Sequence, residues 1–204
     1  YLLLLGWAPE GEQEIFSLDE MIKIWDPARI SKSPAIFDPL KLRAINAAYI
    51  RALPAEEFRR LADPFIDSAV HCDIDRDLLC ANLQPRCEVL EDIPPQLDFF
   101  DAVLPIDAEM YRNKKQKTTP ESAKEALTAL LPVLEAQTDW TRDAIFDACK
   151  TLAEQMEKKN GWLLFPLGIA LSGKARTPGG GTDLAAMMGR EETLKRVKDA
   201  LGKL

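Results

Sequence analysis

Acid–base, nucleophilic and metal chemistry draw on His, Cys, Ser, Lys and paired carboxylates, and few of these stand at useful spacings in this chain. The one histidine, His71, excludes multi-histidine metal sites and argues against histidine-based proton transfer. Cys72, Cys80 and Cys87 are separated by eight and seven residues, which is not zinc-ligand spacing, and Cys149 stands apart. Reduced thiols in apolar helices, or at their edges, are the expectation. Ser31-Lys32-Ser33 sets a lysine between two hydroxyls, but lacks the glycines that let backbone N–H groups wrap a phosphate. A polar turn before Pro34 is the plainer reading. Gly173-Lys174 and Gly179-Gly180-Gly181-Thr182 hold the residues of a P-loop in the wrong order, with no strand before them. They predict a helix C-cap followed by a flexible loop. Glu56-Glu57 and Glu91-Asp92 are adjacent and so point in different directions on a helix. No set of nucleophile, base and orienting group can be assembled. The chain is therefore expected to carry no catalytic residue, no bound cofactor and no metal.

The elements that would position such residues are helical, and the fold class expected is all-α. The length of 204 residues and a hydrophobic content of 47% allow a real core and rule out wholesale disorder. Ser17 with Glu20 fits a capping box and predicts a helix from Leu18 to Trp25, ended by Asp26-Pro27. Asp38-Pro39 opens a helix to about Ala52, with Leu42, Ile45 and Tyr49 at helical spacing. Pro54 and Asp63-Pro64 predict two restarts and short helices of one or two turns. A helix over Asp75 to Gln84 precedes Pro85, which begins its successor. Thr119-Pro120 opens a long helix that Pro132 would kink, and Thr141 opens another with Ile145, Cys149, Leu152 and Met156 in one stripe. Asn160-Gly161 is read as its stop. Short helices are expected over Pro166–Ser172 and Leu184–Met188, and a final one over Arg190–Leu201. No run alternates as a strand would.

Charge gives the next constraint. With 26 basic and 33 acidic residues the net charge is −7, the wrong sign for a general DNA binder. The imbalance is not uniform. From Gly161 onward there are seven basic and four acidic residues, net +3, and the first 160 residues carry net −10. Arg112, Lys114, Lys115 and Lys117 form a separate basic run. Tyr1 to Leu5 is too short to span a membrane and lacks the basic flank of a signal peptide. Because the chain starts without methionine inside an apolar run, it is expected to be a piece of a longer protein.

Several segments, in order, resemble the C-terminal half of the bacterial glutamyl-tRNA synthetase family. Tyr1-Leu-Leu-Leu-Leu-Gly-Trp7 resembles its LLGW segment. Ile30-Ser-Lys-Ser-Pro-Ala-Ile-Phe-Asp38, with Lys41-Leu42, Asn46 and Tyr49, is similar to its K-S-P-A-x-F-D-x-x-K-L…N-x-x-Y pattern. Pro85-Arg86-Cys-Glu-Val-Leu90 resembles its R-x-x-x-L stretch, and Asp139-Trp140-Thr141 the W-T that opens a late helix. Pro166-Leu-Gly-Ile-Ala-Leu-Ser-Gly173 followed by Thr177-Pro178 is similar to P-L-R-x-A-L-T-G…P, and Met188-Gly-Arg-Glu191 to L-G-K-E.

The resemblance implies a tRNA-binding piece of a glutamate–tRNA ligase whose ATP-using catalytic half lies upstream. ATP and Mg would belong to that parent and not to this piece, and Ser31-Lys32-Ser33 would not be catalytic. It implies a stem-contacting helical unit over 1–60, a first helical anticodon-binding domain over 61–135 and a second over 136–204. Arg86 falls on the family arginine that reads the third anticodon base, which is cytosine in glutamate tRNA and guanine in glutamine tRNA. Thr177 and Pro178 fall on the loop that packs against the middle base. The sequence departs from the family at Gly168, where an arginine usually contacts the first base; Lys174 or Arg176 would have to substitute. Ala44 stands where a tryptophan is common. The partner implied is the glutamate tRNA, with no DNA and no membrane, for a monomeric cytoplasmic protein. A helical protein-interaction scaffold with a merely solvating basic tail is the competing reading.

Overall fold

The computed structural model describes residues 1–32 and 36–204; Ser33 and Pro34, which the sequence placed in a polar turn, lie outside the described residues. Among the described residues are ten α-helices joined by 3-10 turns and loops, and the β-type pairings are two isolated bridges. The first three helices are α1 (Leu2–Gly6), α2 (Leu18–Ile24) and α3 (Pro39–Ala52). Ser17 and Glu20 form the capping box reciprocally, and Asp38 accepts from the Leu40 and Lys41 N–H groups beside Pro39. Trp7, buried, donates its indole N–H to Asp26 O at 2.9 Å, and Ser31 N–H bonds to Gly6 O at 2.8 Å. These bonds tie α1 to the loop after α2. The large exposed apolar side chains among the described residues, Leu2 through Tyr49, are all in this opening stretch.

The middle of the chain departs from expectation at a proline. Instead of two short pieces, α4 (Ala55–Asp67) runs through Pro64, which sits in its last turn. Phe58, Ala62 and Ile66 are fully buried along one face, and that burial outweighs the hydrogen bond a proline removes. Next comes α5 (Arg76–Leu83), capped by Asp75. Pro85 does not open a new helix. It lies in the 3-10 turn Gln84–Arg86 that continues the C-terminus of α5.

The last five helices are arranged as four packed around one, an apolar rod. They are α6 (Pro120–Ala136), α7 (Arg142–Gln155), α8 (Asn160–Ser172), α9 (Gly181–Met188) and α10 (Arg190–Lys203). Asn160-Gly161 opens α8 where the sequence predicted a stop, and Pro166 is in its interior. This helix is apolar all round, with Trp162, Leu163, Leu167, Ile169, Ala170 and Leu171 buried, so contacts from every side hold it. It touches α6, α7, α9 and α10. One core cluster extends from Ile50 to Ala200, and α6 makes its helix contacts with α7, α8 and α10. Asp75 N–H donates to Met187 O at 3.0 Å, joining α5 to α9. No helix among the described residues is long and apolar enough to cross a membrane.

Candidate nucleic-acid interface

The residues that first suggested chemistry serve the fold. His71 Nδ1 lies 2.6 Å from Asp101 Oδ2, and the same carboxylate accepts the His71 and Cys72 backbone N–H groups at 2.7 and 3.0 Å. The His71 bonds hold Asp101 well below the usual carboxylate range. Burial pushes the Cys80 and Cys87 thiols up to about 11 and Cys149 to about 12, so none is a thiolate at neutral pH. Among the described residues no cluster of three His, Cys, Asp or Glu side chains could hold a metal.

Arg86 ends the turn Gln84–Arg86, and two features fix that turn. Pro85 restricts its φ, and Gln84 Nε2 donates to Ile50 O at 3.0 Å and Leu53 O at 2.8 Å, pinning the turn to the end of α3. The Arg86 side chain is exposed, and no carboxylate lies within ion-pair distance of it. Most arginines in this acidic chain differ: Arg43 pairs with Glu88 and Asp92, Arg76 with Asp67, and Arg142 with Asp143. A guanidinium on a rigid turn without an internal partner is available to a ligand.

Thr177 and Pro178 lie on the loop between α8 and α9. Gly173, at φ +69°, ends α8 as expected for a C-cap, and a Cβ there would come within 2.6 Å of Leu104 O. Thr177 Oγ1 donates to Gly179 O at 2.6 Å, folding the loop back on itself, and Pro178 is buried beneath it. The loop covers a cleft of about 380 Å³ whose walls include Phe146, Phe165, Gly168 and Thr177. Asp183 closes one end: Oδ2 accepts the Gly180 N–H at 2.7 Å and Oδ1 the Arg142 Nε at 3.1 Å. Two aromatic rings, a glycine wall and hydrogen-bonding groups at the rim suit a flat polar heterocycle.

The two parts approach each other through Gly179. A Cβ added there would lie 3.4 Å from Asn82 Oδ1, one turn ahead of Arg86 on α5. Lys174 lines the cleft, but its Nζ bonds Pro95 O at 2.8 Å and the Asp98 carboxylate, so it is already partnered. Arg176 is exposed at the loop tip, with no ion-pair partner. The reading of the sequence missed Arg142, Asp183 and Gln116 as cleft residues, because their approach depends on the packing of α7, α8 and α9 and on the turn before α6 that lays Gln116 over Gly161.

A family model for the anticodon binding domain matches residues 42–201, which takes in Arg86, the cleft and its loop. The chain belongs to the anticodon-binding domain family. Across its full 204 residues it is 44% identical to a glutamate–tRNA ligase of Clostridium botulinum, covering 42% of that protein. Over 205 aligned residues it is 42% identical to the enzyme of Clostridium acetobutylicum, again covering 42%. The chain thus spans less than half the length of these curated relatives. A crystal structure of a glutamate tRNA ligase from Elizabethkingia meningosepticum, in complex with its amino acid, superposes with a TM-score of 0.84 at 27% identity, covering 98% of this chain and 39% of that one. Anticodon-binding domains are thereby the setting in which the cleft and Arg86 are to be understood.

Proposed function

We propose that this chain is the tRNA-gripping portion of a glutamate–tRNA ligase, holding the anticodon arm while an N-terminal catalytic part, using ATP and Mg, charges the other end. The observation that carries the reading is the unpartnered, exposed Arg86 on its pinned turn, close to an open aromatic-walled cleft. On this reading Arg86 donates to the third anticodon base. Cytosine offers a carbonyl oxygen there, whereas the larger guanine of the glutamine tRNA crowds the guanidinium. Thr177 and the turn over buried Pro178 pack against the middle base, and Arg176 reaches the strand from the loop tip. Lys174 orders the loop through Asp98 more than it touches RNA. The segments 1–60, 61–135 and 136–204 act as the stem-contacting, first and second anticodon-binding units. The partner is the glutamate tRNA, and the protein works as a cytoplasmic monomer.

The test is a filter-binding titration against glutamate and glutamine tRNAs. Wild type should prefer the former, and Arg86→Ala should lose about 1–3 kcal/mol of that preference. Preference unchanged by Arg86→Ala would remove the specificity role. Absence of binding to either tRNA at low salt would remove the function.

A further inference from the structure

Several cations besides Arg86 and Arg176 have no carboxylate partner, and four lysines stand out because they line one cavity. Arg29 is paired with Glu10, Lys174 with Asp98 and Lys198 with Glu135. Lys115, Lys117, Lys158 and Lys159, by contrast, line a cavity of about 330 Å³ with Gln116 and Trp162, and Glu157 is its one acidic wall residue. Lys158 Nζ rests 5.3 Å from the Trp162 ring centroid, and the other three lysines make no ion pair. Four ammonium groups held together against one carboxylate repel one another, and a polyanion relieves that repulsion.

The backbone on both sides is held firmly. Asn113 and Thr118 exchange N–H···O bonds of 3.0 and 3.1 Å, and Asn113 Oδ1 accepts the Lys115 and Gln116 N–H groups at 2.9 and 3.1 Å. Lys117 (φ 57°) and Glu157 (φ 55°) are the two non-glycine residues with positive φ among the described residues, and both line this cavity. That conformation is strained for a residue with a side chain. No side chain caps the start of α8 and no acidic residue occupies its first turn, so no carboxylate there opposes the lysines. Gln116 also borders the anticodon cleft, its side chain lying over Gly161. The cavity and the cleft are neighbours on one surface.

We propose that the cavity of Lys115, Lys117, Lys158 and Lys159 holds the phosphodiester backbone of the RNA strand as it leaves the cleft across Gln116. This rests on the RNA-binding reading above. The lysines supply affinity without sequence preference, complementing the base contacts of the cleft.

Binding of a glutamate tRNA transcript across a salt series tests it, using wild type, K115Q/K117Q/K159Q, and K23Q/K124Q/K203Q, which removes as many exposed, unpaired charges elsewhere. Three lost phosphate contacts flatten the dependence of log K on log salt by about 2, so from about 50 to about 200 mM salt the cavity variant should lose about twentyfold less affinity than wild type. The control variant should follow wild type, and Glu157→Gln should bind more tightly. Equal flattening in the control, or wild-type slope in the cavity variant, overturns the cavity while leaving RNA binding in place. Poly-glutamate competing as well as oligouridylate overturns it in favour of an acidic protein surface. Wild type that binds no tRNA at the lowest salt overturns both this and the function.

Discussion

At the scale of single residues, Gly168 has the clearest consequence. The family resemblance puts an arginine there, and the structure explains why glycine is tolerated without being required. A Cβ at Gly168 would touch only Gly181, at 3.8 Å, an ordinary contact. The position borders the open cleft, so a longer side chain has room. Gly168→Arg is therefore expected to fold and to tighten glutamate tRNA binding by about 1 kcal/mol or more, read by the same filter titration. Weakened binding would mean that the cleft needs its empty space. Tyr111 offers an independent check on stability. Its hydroxyl is buried with no hydrogen-bond partner, and burial raises its pKa to about 12. Tyr111→Phe removes an unsatisfied donor, so the unfolding free energy should rise by about 1 kcal/mol in urea titrations. Neither feature was legible in the sequence. The family resemblance marks Gly168 as a departure and nothing in the sequence singles out Tyr111; the open cleft beside the first and the missing partner of the second exist only after packing.

Between helices, the tightest constraint is where α8 crosses α9. A Cβ on Gly181 would lie 2.7 Å from Leu164 O and 3.0 Å from Gly168 N, both backbone atoms that cannot rotate away. Gly181→Ala should separate the two helices, cost about 1–3 kcal/mol in thermal melts, and weaken RNA binding through the distorted cleft. Helix beginnings were well marked in the sequence. Ser17-Glu20, Asp38-Pro39, Asp75, Thr119-Pro120 and Thr141 all start helices, because a side-chain acceptor three residues ahead of free N–H groups is a local signal. Interruptions were not. Pro64 and Pro166 were read as boundaries yet lie within α4 and α8, whose burial is supplied by distant segments. Arg86, Thr177 and Pro178 were singled out only by resemblance to a family, and the packing of the cleft around Gln116, Arg142, Thr177 and Asp183 depends on long-range contacts.

For the whole molecule, the buried acids set the pH behaviour. Cys149, fully buried, has its thiol raised from 9.0 to about 12, and Cys80, Cys87 and Tyr111 move in the same direction. Above pH 9 the unfolded chain releases these protons while the folded chain keeps them. Stability is thus unaffected below that range and falls as pH rises through it. Cys149 alone should account for about 1 kcal/mol by about pH 10, measurable as a lower urea midpoint than at neutral pH. The charge pattern also takes a different form at this scale. Much of the basic tail read from the sequence is neutralised by partners such as Glu135 and Glu192, and Arg196 is not at the surface at all. It lies in the core, donating to Phe99 O at 2.7 Å, Leu171 O at 2.6 Å and Phe100 O at 2.6 Å, with Glu192 as its counter-ion. Phe99 O and Phe100 O have to wait for a donor that follows them by 97 and 96 residues, and Leu171 O for one that follows it by 25. During synthesis, the loop at Phe99–Phe100 and the end of α8 remain without their shared donor until α10 has been made. The order of translation therefore delays the closing of these contacts until α10 emerges, and a chain that stops short of Arg196 leaves them unlatched.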